Sequence, residues 1–223
     1  MGHYKIAYTV QHPFLKDFII DYWVCGFHKS LNDSIAFDVG PPSGYPIIHF
    51  LIDGKSFSYN EKKQSYQIAV MGQLLSHFAL CRQPEVKVLC INFKPYGLYN
   101  LYGIPTNVLT NTIICGTNIF EKNKINELYK KLSSVTNHEE IIQLIEHFLW
   151  DNRKKNIRFR LYFDSLVDEI HCREGIVDDI RLLLPKQFCA RTFQLYFNEV
   201  VGCSPKHFSR ILRHKCLLKS MFQ

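Results

Sequence analysis

The stretch Cys189-Ala-Arg-Thr-Phe-Gln-Leu-Tyr-Phe-Asn-Glu-Val-Val-Gly-Cys-Ser-Pro-Lys-His-Phe-Ser-Arg-Ile-Leu-Arg213 decides how the rear of this chain is read. Phe193, Tyr196, Phe197 and Val200 recur at i, i+3, i+4 and i+7, the spacing of one helix face. That stripe is predicted to be buried. Gly202 follows where a helix C-terminus favours glycine. Ser204-Pro205 then supplies an N-cap and a proline at the first helical position. The spacing predicts one helix over Ala190–Val201 and another from Pro205 to about Met221. In the second, Phe208, Ile211 and Leu212 face inward.

Upstream, Phe159–His171 has an amphipathic pattern. Val177–Leu184 reads as a short helix stopped by Pro185, which cannot continue it. A short helix, a tight turn and a second helix describe a helix-turn-helix. Arg191, Thr192, Gln194 and Asn198 lie off the buried stripe and are candidate DNA-binding residues. Arginine, glutamine and asparagine carry the donors and acceptors that read guanine and adenine edges in a major groove. Lys206, Arg210 and Arg213 fall at i, i+4 and i+7 on the last helix, a row suited to phosphates.

Charge supports this reading. The chain has 223 residues and a formal net charge of +7. Residues 1–151 hold 13 basic and 13 acidic side chains; residues 152–223 hold 14 and 7. The whole excess lies in the rear third, which suits a polyanionic partner. Asn152–Asn156 reads as a linker between the two regions.

The front reads mainly as strand, from period-2 alternation and β-branched or aromatic content. Candidate strands are Tyr4–Val10, Ile20–Phe27, Ile35–Val39, Tyr45–Ile52, Tyr66–Met71, Leu75–Cys81 and Val86–Phe93. Turn-like residues separate them, as in Leu31–Ser34 and Arg82–Glu85. Many short strands at this spacing predict a sandwich or open barrel. A short helix is predicted near Tyr96–Tyr102. Longer helices follow over Phe120–Val135 and after Asn137, whose pairing with Glu140 resembles a capping box. The expected fold class is α+β: an antiparallel β-sandwich or cupin-like barrel with a helical extension, then an all-α segment. The expected units are residues 1–118, 119–152 and 153–223.

Several function classes are disfavoured. No window approaches the roughly 18 uninterrupted apolar residues of a membrane span, and the N-terminus lacks a signal-peptide h-region. The eight cysteines form no C-x-x-C pair, so reduced thiols in the cytoplasm are expected. No Walker loop, G-x-S-x-G or papain-like motif occurs, so an enzyme is not expected. His28, His49 and His77 lack the H-x-H spacing of a cupin metal site, so neither metal nor cofactor is expected. Tyr22, Trp23, Phe50 and Phe93 form a candidate aromatic pocket for a small-molecule effector; the other reading of these rings is plain core.

The stretch from Cys189 to Arg213 resembles the first half of the AraC/XylS-type DNA-binding domain, with Gly202-Cys-Ser-Pro-Lys-His-Phe-Ser-Arg-Ile-Leu-Arg213 as its most specific part. Asp21-Tyr22-Trp23, Val70–Gln73 and Phe93–Leu101 resemble a cupin-like sensor or assembly domain that precedes such domains. The resemblance implies a sequence-specific transcription regulator acting on double-stranded DNA. It places Arg191, Gln194 and Asn198 on the recognition helix, and Lys206, Arg210 and Arg213 at the start of a linker helix.

Two residues depart from the family pattern. Cys189 stands where an N-cap serine is usual, and Leu195 where a second arginine is common. The family's second helix-turn-helix is not in the sequence. One recognition helix per chain implies weaker, less selective binding, unless a homodimer restores two. The alternative is a small-molecule-binding β domain whose helical tail does not bind DNA on its own.

Overall fold

The computed structural model describes residues 2–28, 36–40, 42–59, 65–76, 78–82, 86–155, 161–177 and 189–221. The expected turns at 31–34 and 83–85, the end of the linker at 156, His77, and the short helix beyond Val177 lie outside these residues. Strands in chain order are β1 (Gly2–Tyr8), β2 (Ile19–His28), β3 (Ala36–Gly40), β4 (Ile47–Asp53), β5 (Phe57–Tyr59), β6 (Ile68–Met71), β7 (Phe78–Arg82), β8 (Lys87–Phe93) and β9 (Ile113–Cys115). Helices are α1 (Gly97–Tyr102), α2 (Lys122–Leu132), α3 (His138–Asp151), α4 (Leu161–Cys172), α5 (Ala190–Val201) and α6 (Pro205–Met221).

The strands form a six-stranded sheet, ordered β1-β2-β8-β4-β6-β9, and a three-stranded sheet, β3-β7-β5. All pairings are antiparallel. The α+β class holds. Among the described residues the strands form two open sheets rather than a closed barrel: the larger ends on β1 and β9, which do not pair with each other, and one of its faces packs on the smaller sheet.

Strand β4 shows why the sheet lies at the centre. Ile47, Ile48, His49, Phe50 and Leu51 are all buried. A strand whose successive residues are all apolar or buried must be covered on both faces. Ile48 and Phe50 share one face with Val70, Ile91, Ile68 and Leu89. That face forms a core with Leu98, Leu101, Leu128, Ile145 and Leu149 of α1–α3. Ile47 and Leu51 point the other way, with Met71 and Val88, and meet Phe57 and Tyr59 of the smaller sheet. Helices α2 and α3 therefore share the core of the large sheet.

Local signals explain the helix starts. The Asn137 side chain accepts the Glu139 backbone N–H at 2.8 Å, as an N-cap should. Further along α3, buried Glu146 accepts the backbone N–H groups of Gln11 and His12 and the Tyr22 hydroxyl, at 2.8, 3.0 and 3.0 Å. One carboxylate thereby ties the β1–β2 connection to the helical layer.

Candidate nucleic-acid interface

Helix α5 spans the predicted residues. Phe193, Phe197, Val200 and Val201 are buried, and they pack with Phe163, Leu166, Val167 and Ile170 of α4 and Phe208 and Leu212 of α6. Phe197 is at the centre: its ring centroid lies 5.5 Å from Phe193, 5.7 Å from Phe163 and 5.8 Å from Phe208. Tyr196, placed with the buried stripe by spacing, is only half-buried; its ring meets Phe163 at 4.6 Å and Tyr99 at 6.2 Å.

The turn into α6 depends on two small features. Gly202 has φ +93°, where a side chain is strained. A Cβ there would also meet Thr106 O and Thr110 Oγ1 at 3.1 Å. Ser204 Oγ accepts the His207 N–H at 3.2 Å, capping α6. Gly175, after α4, has φ +75° and lies against the Ser209 backbone, which holds the end of α4 close to α6.

The other faces of α5 and α6 are open. Arg191, Thr192, Gln194 and Leu195 are exposed, and Asn198 is half-buried. Lys206, Arg210 and Arg213 are exposed on α6. Among the described residues no carboxylate lies within ion-pair distance of Arg191, Lys206, Arg210 or Arg213. The two helices thus present four cations without a carboxylate partner among the described residues, and two carboxamides, outside their apolar core. Charges of this kind attract phosphate through released counterions.

Cys189 takes the N-cap position of α5 in extended conformation, without a side-chain capping hydrogen bond. The nearby N–H groups of Arg191 and Thr192 hold its exposed thiol below the usual range. A serine oxygen is the better cap. Cys189→Ser is expected to stabilise the protein, measured as a higher urea midpoint. An unchanged midpoint would show that the thiol already serves.

The rear helices are docked on the front unit. Thr106 Oγ1 donates to Glu199 O at 3.0 Å, and Thr110 Oγ1 to Gly202 O at 2.5 Å. The Tyr99 hydroxyl donates to Glu199 Oε1 at 3.0 Å. Tyr96 joins the rear apolar cluster itself and donates to Asp168 at 2.8 Å. Lys215 lies 4.5 Å over the Tyr45 ring. Gln73 is fully buried in the same seam, beside Gly202, and among the described residues no protein group hydrogen-bonds its side-chain amide. These docking residues were not legible in the sequence as a site. Their only signal was the aromatic run from Phe93 to Leu101.

One docking carboxylate is pH-sensitive. Burial pushes Asp164 up to about 6; the Asn100 amide, donating at 2.9 Å, opposes this, and the Asp168 charge adds to it. The unfolded chain releases this proton near pH 4, while the folded chain retains it to about 6. Stability from this group is therefore full below about pH 4, falls as pH rises through about 6, and is level above. Asp164→Asn is expected to remove that decline from a plot of Tm against pH between 4 and 7. A variant with the wild-type slope would contradict the assignment.

Three of the candidate pocket rings share one environment. Tyr22, Phe50 and Phe93 are fully buried in the core between the large sheet and α1–α3. Trp23 follows Tyr22 on β2 and so lies on the opposite face, where Lys5 covers its ring at 4.3 Å. The front unit does have a cleft of about 420 Å³ between the β4–β5 turn and the α2–α3 turn. Leu51, Leu132 and Ile141 give it apolar walls, and Lys55, Lys87 and His138 polar ones.

His49 is buried, with Nδ1 2.6 Å from the Tyr59 hydroxyl. Among the described residues no group of three or more His, Cys, Asp or Glu side chains is arranged to hold a metal ion. No helix among them is long and apolar enough to cross a membrane.

Residues 11–115 match a protein family described as a domain of unknown function, DUF6597. No curated protein sequence matches the chain. Two solved structures are similar. One is an apo ToxT variant from Vibrio cholerae, 11% identical, with a TM-score of 0.33, covering 86% of this chain and 84% of that one. The other is the AraC-like transcriptional activator CuxR, 12% identical, with a TM-score of 0.28, covering 97% of this chain and 86% of that one.

Proposed function

We propose that this chain is a DNA-binding transcriptional regulator whose α4–α6 unit engages duplex DNA. In this reading the front β unit serves as a sensor or dimerisation module rather than as an enzyme. The observation that carries the proposal is the open face of α5 and α6. Arg191, Gln194 and Asn198 stand on one helix, Lys206, Arg210 and Arg213 on the next, and no carboxylate among the described residues pairs with the cations. Arg191, Gln194 and Asn198 would read base edges, with Thr192 beside them. The α6 row would hold phosphates. Two copies of the chain would double both sets of contacts.

The test is fluorescence anisotropy of labelled duplexes titrated with the full chain over a range of salt. Arg191→Ala is expected to relax base preference at one position of a selected site. Lys206→Ala is expected to weaken all duplexes alike and to reduce the salt slope by about one. Indistinguishable effects from the two substitutions would refute the division of roles.

The cleft of about 420 Å³ favours a second reading. Its size falls within the usual range for small-molecule sites. The front unit would then bind an effector, while the helical tail makes no DNA contact of its own. A chain that shows no salt-dependent DNA binding, yet is stabilised by a small molecule unless Lys87 is changed, would favour that reading.

A further inference from the structure

Leu195 is 65% exposed on α5. A lone exposed leucine is ordinary on a protein surface, but the position of this one is not. It follows Gln194, lies one turn beyond Arg191, and is followed by Asn198 at the next turn on the same face. Every other candidate contact on that face is polar. The large apolar residues of α5 are otherwise committed: Phe193, Phe197, Val200 and Val201 are buried, and Tyr196 packs on Phe163. No neighbouring apolar patch extends from Leu195 along its own helix, so a broad protein interface is not what this face offers.

A base-reading surface has a use for one apolar side chain among polar ones. Major-groove edges present donors and acceptors for arginine, glutamine and asparagine, and they present one apolar group, the C5-methyl of thymine. We infer that Leu195 is a specificity-determining residue that selects thymine by packing on that methyl group, between the bases addressed by Arg191 and Asn198. The inference rests on the DNA-binding reading proposed above and adds the identity of one base to it.

The experiment removes the methyl group from the DNA. Sites are first selected from random duplexes by the full-length protein. Each thymine of the selected site is then replaced singly by uracil, which keeps the hydrogen-bonding edge and lacks only the methyl. With the wild-type chain, one position is expected to lose about fourfold in affinity, the factor that about 0.8 kcal/mol of buried methyl represents. Leu195→Ala should bind the thymine site more weakly by a similar factor and be indifferent to uracil there.

The inference is overturned if the wild-type chain tolerates uracil at every position, or if Leu195→Ala retains the wild-type discrimination. A selection that enriches no sequence overturns base reading by α5 altogether, and the inference with it. A selected site without methyl sensitivity overturns the inference alone. Because Leu195 makes no core contact, loss of fold does not complicate the variant; an unchanged Tm verifies this.

Discussion

Replacing Lys206, Arg210 and Arg213 together by alanine is expected to lower affinity for a generic duplex on the order of 10²-fold near 0.15 M salt. Each neutralised phosphate releases about 0.9 counterion, so three lost contacts should flatten the log–log salt slope by about 2.7. The three side chains are exposed, and none has an acidic partner among the described residues. Their removal therefore strands no buried charge and should leave the fold intact. Their neighbours Phe208, Ile211 and Leu212 hold α6 in place from the opposite face. The measurement is anisotropy across salt, with Tm as the control. A triple variant with the wild-type slope would exclude α6 as a phosphate-binding element.

Phe197→Ala is expected to destabilise the protein by about 3–5 kcal/mol, the usual cost of emptying a buried aromatic site. The ring is fully buried and meets Phe163 of α4, Phe193 of α5 and Phe208 of α6. Among the described residues no other side chain makes ring contacts to α4, α5 and α6 alike. Because the front unit has separate apolar clusters on both faces of its large sheet, the loss should be local. Amide exchange is expected to accelerate in α4–α6 before it does in β4 or β8, and DNA binding should fall with it. Uniform acceleration across the chain would mean that the seam at Thr106, Thr110 and Tyr99 couples the two regions into one folding unit.

Helices α5 and α6 were legible because their information is local. The apolar stripe of α5 repeats within one turn of helix, and Gly202, Ser204 and Pro205 mark its end and the next start within four residues. The N-cap at Asn137 was legible for the same reason, although its oxygen accepts from Glu139 and the reciprocal bond from Glu140 is not part of it. Strands β5 and β9 were not read, because three residues are too few to show a period. They exist through pairing with β7 and β6. The alternation starts this strand at Leu75, whereas the described strand β7 runs Phe78–Arg82; Leu74 and Leu75 belong to two different apolar clusters.

The candidate site divides in the same way. Sequence spacing alone determined which residues of α5 and α6 turn outward, and sequence alone showed that the basic excess lies behind residue 151. Both are properties of helical periodicity and charge count, which need no distant partner. Only the tertiary structure places Tyr22, Phe50 and Phe93 together in the core between the large sheet and α1–α3. A strand residue's surroundings are set by whichever layers cover its sheet, and here α1–α3 cover one face. Only the tertiary structure brought Thr106 and Thr110 against the end of α5, about ninety residues away in the chain. Contacts over such separations depend on how two completed layers meet, and no periodicity in either segment records that.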